Sequence, residues 1–289
     1  MKNEFSFLSG PGGRRDIEHS ENPNRHWYKI DDFYNNTLQT RSQITNLDEL
    51  YNKKIIIVVG DSFTFGDGVY YIDTYAHLLH TDFFNKEDYV VINVGVPGIS
   101  NDRIIQITQN WVNEFSSQIE CIIVGMSFLS RRSYFFDNEY TRDHNNDIYT
   151  MEKSDVNTYN FNPSTTVPTT RNGLPIRDKY NAFLELNTRI NDYREFEKNL
   201  LLLKYISIVY NIKIYWWGWL NLMFTKHDRE FLISTFDFNT MRYINVDDIT
   251  DQLETISSDD RHWNPRGHRR VADYIIKFLN DDYCKQFTL

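Results

Sequence analysis

Three side-chain types able to carry out acyl transfer stand at two places in the chain. Ser62 closes a continuous β-branched run at 55–59, after Gly60 and Asp61 in the stretch IIIVVGDSFTFGDGV. A serine hydroxyl is a weak nucleophile. It needs a base to take its proton and donors to hold the oxyanion that forms on the attacked carbonyl. The second place is the loop Asp259-Asp260-Arg261-His262-Trp263-Asn264-Pro265. Its imidazole could serve as that base, with a carboxylate in the same loop to orient it. The order along the chain would be serine, aspartate, histidine.

The segment Gly60-Asp61-Ser62-Phe63-Thr64-Phe65-Gly66 resembles the first block of the SGNH (GDSL-like) hydrolases, and Asp259 to His262 resembles their terminal D-x-x-H block. Between them, Asn93-Val94-Gly95-Val96-Pro97-Gly98-Ile99-Ser100-Asn101 is similar to the second block. The third block, G-x-N-D, is replaced by Gly125-Met126-Ser127-Phe128, so Ser127 stands where the family has an asparagine. The resemblance implies an α/β fold, a three-layer doubly wound sandwich with a mainly parallel central sheet. It also implies a carboxylic ester hydrolase with neither cofactor nor metal. Ser62 would be the nucleophile, His262 the base and Asp259 its orienter by block spacing, with Asp260 the alternative. The oxyanion hole would be the backbone amides of Ser62 and Gly98, joined by Ser127. The family includes acetyl-sugar esterases, lipases and thioesterases.

The elements that must position these groups are legible as alternating strands and helices. Residues 55–59, 89–94, 119–124 and 212–217 are β-rich runs, and the first has no polar alternation, which suits a strand covered on both faces. Helical spacing marks 76–84, 101–115, 193–210 and 265–279, with Ser100 or Asn101 able to cap the second and Pro265 or Arg266 to open the last. Strand–helix alternation argues a doubly wound parallel sheet, whose ligands bind at the carboxyl ends of the strands. Trp216, Trp217 and Trp219 lie at such an end and read as core and rim, or as pocket lining. His268 falls in the first turn of the last helix and reads as structural. The mixed stretch 224–251 gives no assignment, and His227 with Asp228 does not make a metal site.

The 289 residues, 40% of them hydrophobic, suffice for one large domain. A formal net charge of −9 argues against a nucleic-acid surface. Cys121 and Cys284 offer no disulfide framework. With no signal-type apolar segment and no run long enough to span a bilayer, the chain is expected to be soluble and cytoplasmic as synthesised. Abundant Asn, Ile, Tyr and Phe fit AT-rich coding, as in a bacterium or a phage, and leave virion or extracellular delivery as a further destination. Residues 1–50 carry turn chemistry and read as an irregular arm or wrap ahead of a 51–289 domain, and any oligomer or virion partner would dock there.

An insertion at about 133–190 is polar and aromatic, with Tyr134, Phe135, Phe136, Tyr149, Tyr159 and Phe161 suited to stacking on sugars or to a satellite core. Just before it, Arg131 and Arg132 could meet an acidic substrate or form surface ion pairs. The expected substrate is accordingly an acylated small molecule or polysaccharide, with O-acetyl groups on a carbohydrate favoured. The alternative from another class is a catalytically weak or inactive module that binds carbohydrate or builds a virion. A phosphate loop fits poorly, since G-x-x-x-x-G-K-[ST] is absent from the Gly60 to Gly68 turn.

Overall fold

The continuous β-branched run forms strand β1 (Lys54–Val59), and every residue from Ile55 to Val59 is inaccessible to solvent. Side chains alternate between the faces of a strand, so Ile55, Ile57 and Val59 enter one apolar core while Ile56 and Val58 enter another. Burial on both faces is why no polar alternation appears in the sequence. The structure, a computed structural model, describes residues 40–42, 47–97, 99–129, 189–258 and 260–286.

Four more strands complete a sheet: β2 (Tyr89–Asn93), β3 (Ile119–Gly125), β4 (Lys213–Trp217) and β5 (Met241–Tyr243). Their order is β2-β1-β3-β4-β5 and every pairing is parallel. Helices α1 (Ser62–Phe65) and α2 (Tyr75–Asp82) connect β1 to β2, and α3 (Asn101–Phe115) connects β2 to β3. The helix α4 (Arg189–Tyr210) precedes β4, α5 (Leu220–Met223) and α6 (Lys226–Phe236) precede β5, and α7 (Pro265–Gln286) ends the described chain. Apolar residues of α3, α4 and α6 fill the core on one face. Those of α2 and α7 fill the other, giving the three layers of a doubly wound α/β fold.

The chain moves from β1 outward to β2 and then returns to the other side of β1 with β3. That reversal opens a crevice between the carboxyl ends of β1 and β3, the place where open α/β sheets hold ligands. Ser62 follows β1 after two residues, Gly60 and Asp61. The anticipated strands and four long helices are present, with α7 extending past 279 to Gln286 and α4 beginning before 193 at Arg189. Strand β5 and helices α5 and α6 lie in the stretch that carried no sequence assignment.

Part of the N-terminal arm is tied to the end of β2 and to the turn after Ser62. The amide of Arg41 donates to Asn93 O (2.9 Å). Its buried guanidinium donates to the carbonyls of Phe65 (2.8 Å), Gly66 (2.7 Å) and Val69 (2.6 Å). This clamps the turn after the nucleophile from outside the domain body. Residues 1–39 and 130–188, and with them most of the arm, Arg131, Arg132 and nearly all of the insertion, lie outside the described residues.

Candidate active site

Asp61 caps the single turn of α1 by accepting from Phe63 N through Oδ1 (3.1 Å). The turn closes at Gly66, whose φ of 83° is a left-handed conformation that favours glycine, and both Gly66 N and Asp67 N donate to Ser62 O (3.0 Å each). From beneath, the 93–96 backbone approaches so closely that a Cβ on Gly95 would stand 2.4 Å from Phe65 N. Asn93 Nδ2 donates to Thr64 O (2.8 Å). Ser62 is thus fixed on all sides, with only 3% of its surface exposed.

His262 reaches it from a position 200 residues later. Its Nε2 lies 2.9 Å from Ser62 Oγ, and its Nδ1 lies 2.6 Å from Asp260 Oδ1. A carboxylate only accepts, so Nδ1 carries the proton and the lone pair of Nε2 faces the serine hydroxyl. The loop enforces this arrangement. Asp260 Oδ1 also accepts from His262 N (3.2 Å), Asp260 N donates to Ser257 Oγ (3.0 Å), and Ile256 N donates to His262 O (2.9 Å). A side-chain carboxylate bonding the amide two residues on is an Asx turn, and here it brings the carboxylate beside the ring of that same residue. Phe63 packs its ring 5.0 Å from the imidazole.

The carboxylate in contact is therefore Asp260, where block spacing had pointed to Asp259. Asp259 and Gly98 lie outside the described residues. Ser127 is the third of the expected oxyanion donors. Its side chain is fully buried, its hydroxyl donates to Asp61 Oδ2 (3.0 Å) and its amide donates to Asn101 Oδ1 (2.7 Å). Through that bond Ser127 braces the cap of the nucleophile turn. Asn101 Nδ2 returns a bond to Ser127 O (3.0 Å), which ties the start of α3 to the end of β3. Ser100 Oγ caps α3 by accepting from Arg103 N (3.4 Å).

Sequence reasoning passed over Asp67. Its Oδ2 stands 3.9 Å from His262 Nε2, on the same atom that faces Ser62. The signal was present, since Asp67 sits between Gly66 and Gly68, both at positive φ (83° and 90°), in the nucleophile block itself. An aromatic wall completes the surroundings. Trp219 meets Phe63 (ring centroids 5.1 Å apart) and stacks on Phe128 (6.3 Å), while Trp263 packs 5.0 Å from Phe63. Trp216 is buried in one core and Trp217 and Trp219 in the other, with the Trp219 ring against Phe63 of the nucleophile turn.

His268 is buried behind the site, stacked on Tyr75, and its Nδ1 accepts from Tyr75 N (3.3 Å). Burial, reinforced by the charges of Arg41 and His262, pushes it down to about 3 from its ordinary 6.5. The folded state therefore holds this ring neutral, while the unfolded chain binds a proton below pH 6.5. Its contribution to stability is complete above that pH and is lost as pH falls towards 3. Exchanging His268 for Asn, whose carbonyl can replace Nδ1 as acceptor, should flatten this acid limb. Thermal unfolding midpoints measured from pH 7 to 4 should fall less in the variant than in the wild type, and parallel curves would contradict the assignment.

Among the described residues no group of His, Cys, Asp and Glu is arranged to hold a metal ion, and no helix is long and apolar enough to cross a membrane. No family model and no curated protein matches the chain. Among solved structures it is similar to a lipolytic protein of the G-D-S-L family from Desulfitobacterium hafniense DCB-2, at 11% identity and a TM-score of 0.45 over 78% of this chain and 99% of that one. It is also similar to the esterase EstA from Pseudoalteromonas sp., at 13% identity and a TM-score of 0.45 over 82% of this chain and 100% of that one. A third likeness is to AlinE4, an SGNH-hydrolase family esterase, at 15% identity and a TM-score of 0.40 over 79% and 96% of the two chains.

Proposed function

We propose that the chain is a serine-dependent carboxylic ester hydrolase that removes O-acetyl or similar acyl groups from a carbohydrate. The observation that supports this most is the continuous hydrogen-bonded series Ser62 Oγ, His262 Nε2, His262 Nδ1 and Asp260 Oδ1, with spacings of 2.9 and 2.6 Å. Ser62 Oγ attacks the ester carbonyl while its proton passes to His262 Nε2. Asp260 holds the ring in the required tautomer and stabilises the imidazolium. The backbone amides of Ser62 and Gly98 steady the oxyanion. As it collapses, the bond to the alcohol breaks and the leaving oxygen takes the proton from Nε2. Water then attacks the acyl-serine with His262 again as base, releasing the acid and restoring Ser62.

With the Ser127 hydroxyl engaged by Asp61, this oxyanion hole works without the side-chain donor of the resembled family. The loss of one such donor costs about 3 kcal/mol of transition-state stabilisation in other hydrolases, which slows the reaction without abolishing it. The polar, aromatic insertion is what favours a carbohydrate among ester substrates. The reading is tested by wild-type hydrolysis of p-nitrophenyl acetate and of longer p-nitrophenyl esters. Turnover above buffer, greatest for acetate, is expected. Absence of turnover with every ester, together with tight glycan binding, would replace it with the binding or structural alternative.

A further inference from the structure

The mechanism leaves Asp67 without a part, although its carboxylate lies beside the atom through which the proton must pass. Asp67 Oδ2 is 3.9 Å from His262 Nε2, beyond hydrogen-bond length, and its side chain is 20% exposed. The gap is one that an incoming oxygen can bridge. The position is rigid, because Asp67 N donates to Ser62 O (3.0 Å) and Arg41 holds the carbonyls of Gly66 (2.7 Å) and Val69 (2.6 Å) on either side.

During acyl transfer the leaving oxygen must come within about 3 Å of Nε2 to receive its proton. A carboxylate fixed so close to Nε2 then stands within reach of the alcohol half of the substrate. In an ester of a vicinal diol, the free hydroxyl on the adjacent carbon sits within one hydrogen-bond length of the leaving oxygen and can turn its proton to a neighbouring carboxylate. We infer that Asp67 recognises the leaving group by accepting that hydrogen bond, so that the preferred substrates are monoacyl esters of vicinal diols, the chemistry of sugars and glycerol. This rests on the hydrolase reading and gives it a substrate class. The same negative charge opposes leaving groups that are themselves anionic.

The test compares kcat/KM for 2-hydroxyethyl acetate and ethyl acetate, which differ only in the adjacent hydroxyl, each divided by its rate of alkaline hydrolysis. Wild type should favour the diol ester by about tenfold or more, as one hydrogen bond to a charged group allows. Asp67→Ala should lose that preference and Asp67→Asn should keep a fraction of it, since an amide oxygen still accepts. A wild type that treats the two esters alike would overturn the inference and leave the hydrolase reading standing. So would variants that slow both esters equally and keep the ratio, as a merely structural Asp67 would. Failure of the wild type on both esters would overturn this inference, and the hydrolase reading falls with it only if p-nitrophenyl acetate is not turned over either.

Discussion

Ester turnover is expected to fall by about 10,000-fold or more when Ser62 is replaced by Ala, with His262→Ala losing a comparable amount. The magnitude follows from the role of each group. Without Oγ there is no atom to form the acyl intermediate. Without Nε2 at 2.9 Å the hydroxyl keeps its proton and remains a weak nucleophile. Because the two act as one unit, the double variant should be little worse than either single one. Folding should survive, since Ser62→Ala removes one side-chain hydrogen bond and leaves the Asp61 cap, the Gly66 turn and the Arg41 clamp in place. Initial rates with p-nitrophenyl acetate, beside thermal unfolding of each variant, measure both halves of the prediction.

The second large effect distinguishes two adjacent carboxylates. Asp260→Asn should lower kcat by about 100-fold to 10,000-fold, whereas Asp259→Asn should stay within about threefold of wild type. Asp260 is only 8% exposed, accepts from His262 Nδ1 at 2.6 Å and from His262 N at 3.2 Å, and so sets both tautomer and ring position. A neutral amide of the same shape can hold the loop but cannot balance the imidazolium charge that appears as Ser62 attacks. Single-turnover kinetics of both variants provide the measurement. The reverse ranking, with Asp259→Asn the damaged enzyme, would mean that block spacing and not the Asx turn identifies the orienter.

Why the sequence left two carboxylates open for one role is a matter of resolution. Two consecutive aspartates before a histidine differ by one residue, and which of them meets the ring depends on the turn that Ser257, Asp260 and Ile256 build together. Such a turn has no period to read. The same holds for β5, three residues long at the edge of the sheet beside β4, which is too short to show any pattern. Long elements behave differently. The β-branched run 55–59 required burial on both faces and received it, and α3 starts and stops where its apolar spacing and Ser100 cap place it. The nucleophile turn was legible because its parts are contiguous. Arg41 and the Ser127–Asp61 bond were not, since each joins the turn to a residue distant in the chain through contacts that only packing creates. Asp67 was within the motif, but its meaning depends on the 3.9 Å separation from a histidine near the other end of the chain.

The central claim is that Ser62 is an activated nucleophile, and its most direct test is covalent labelling with a fluorophosphonate followed by peptide mass mapping. One phosphonyl group per chain, on Ser62, is expected in the wild type. The same treatment should leave Ser62→Ala unlabelled and label His262→Ala far more slowly, because displacement of fluoride requires the serine proton to be taken by Nε2. An unlabelled Ser62, or a label carried by another residue while ester turnover persists, would contradict the account.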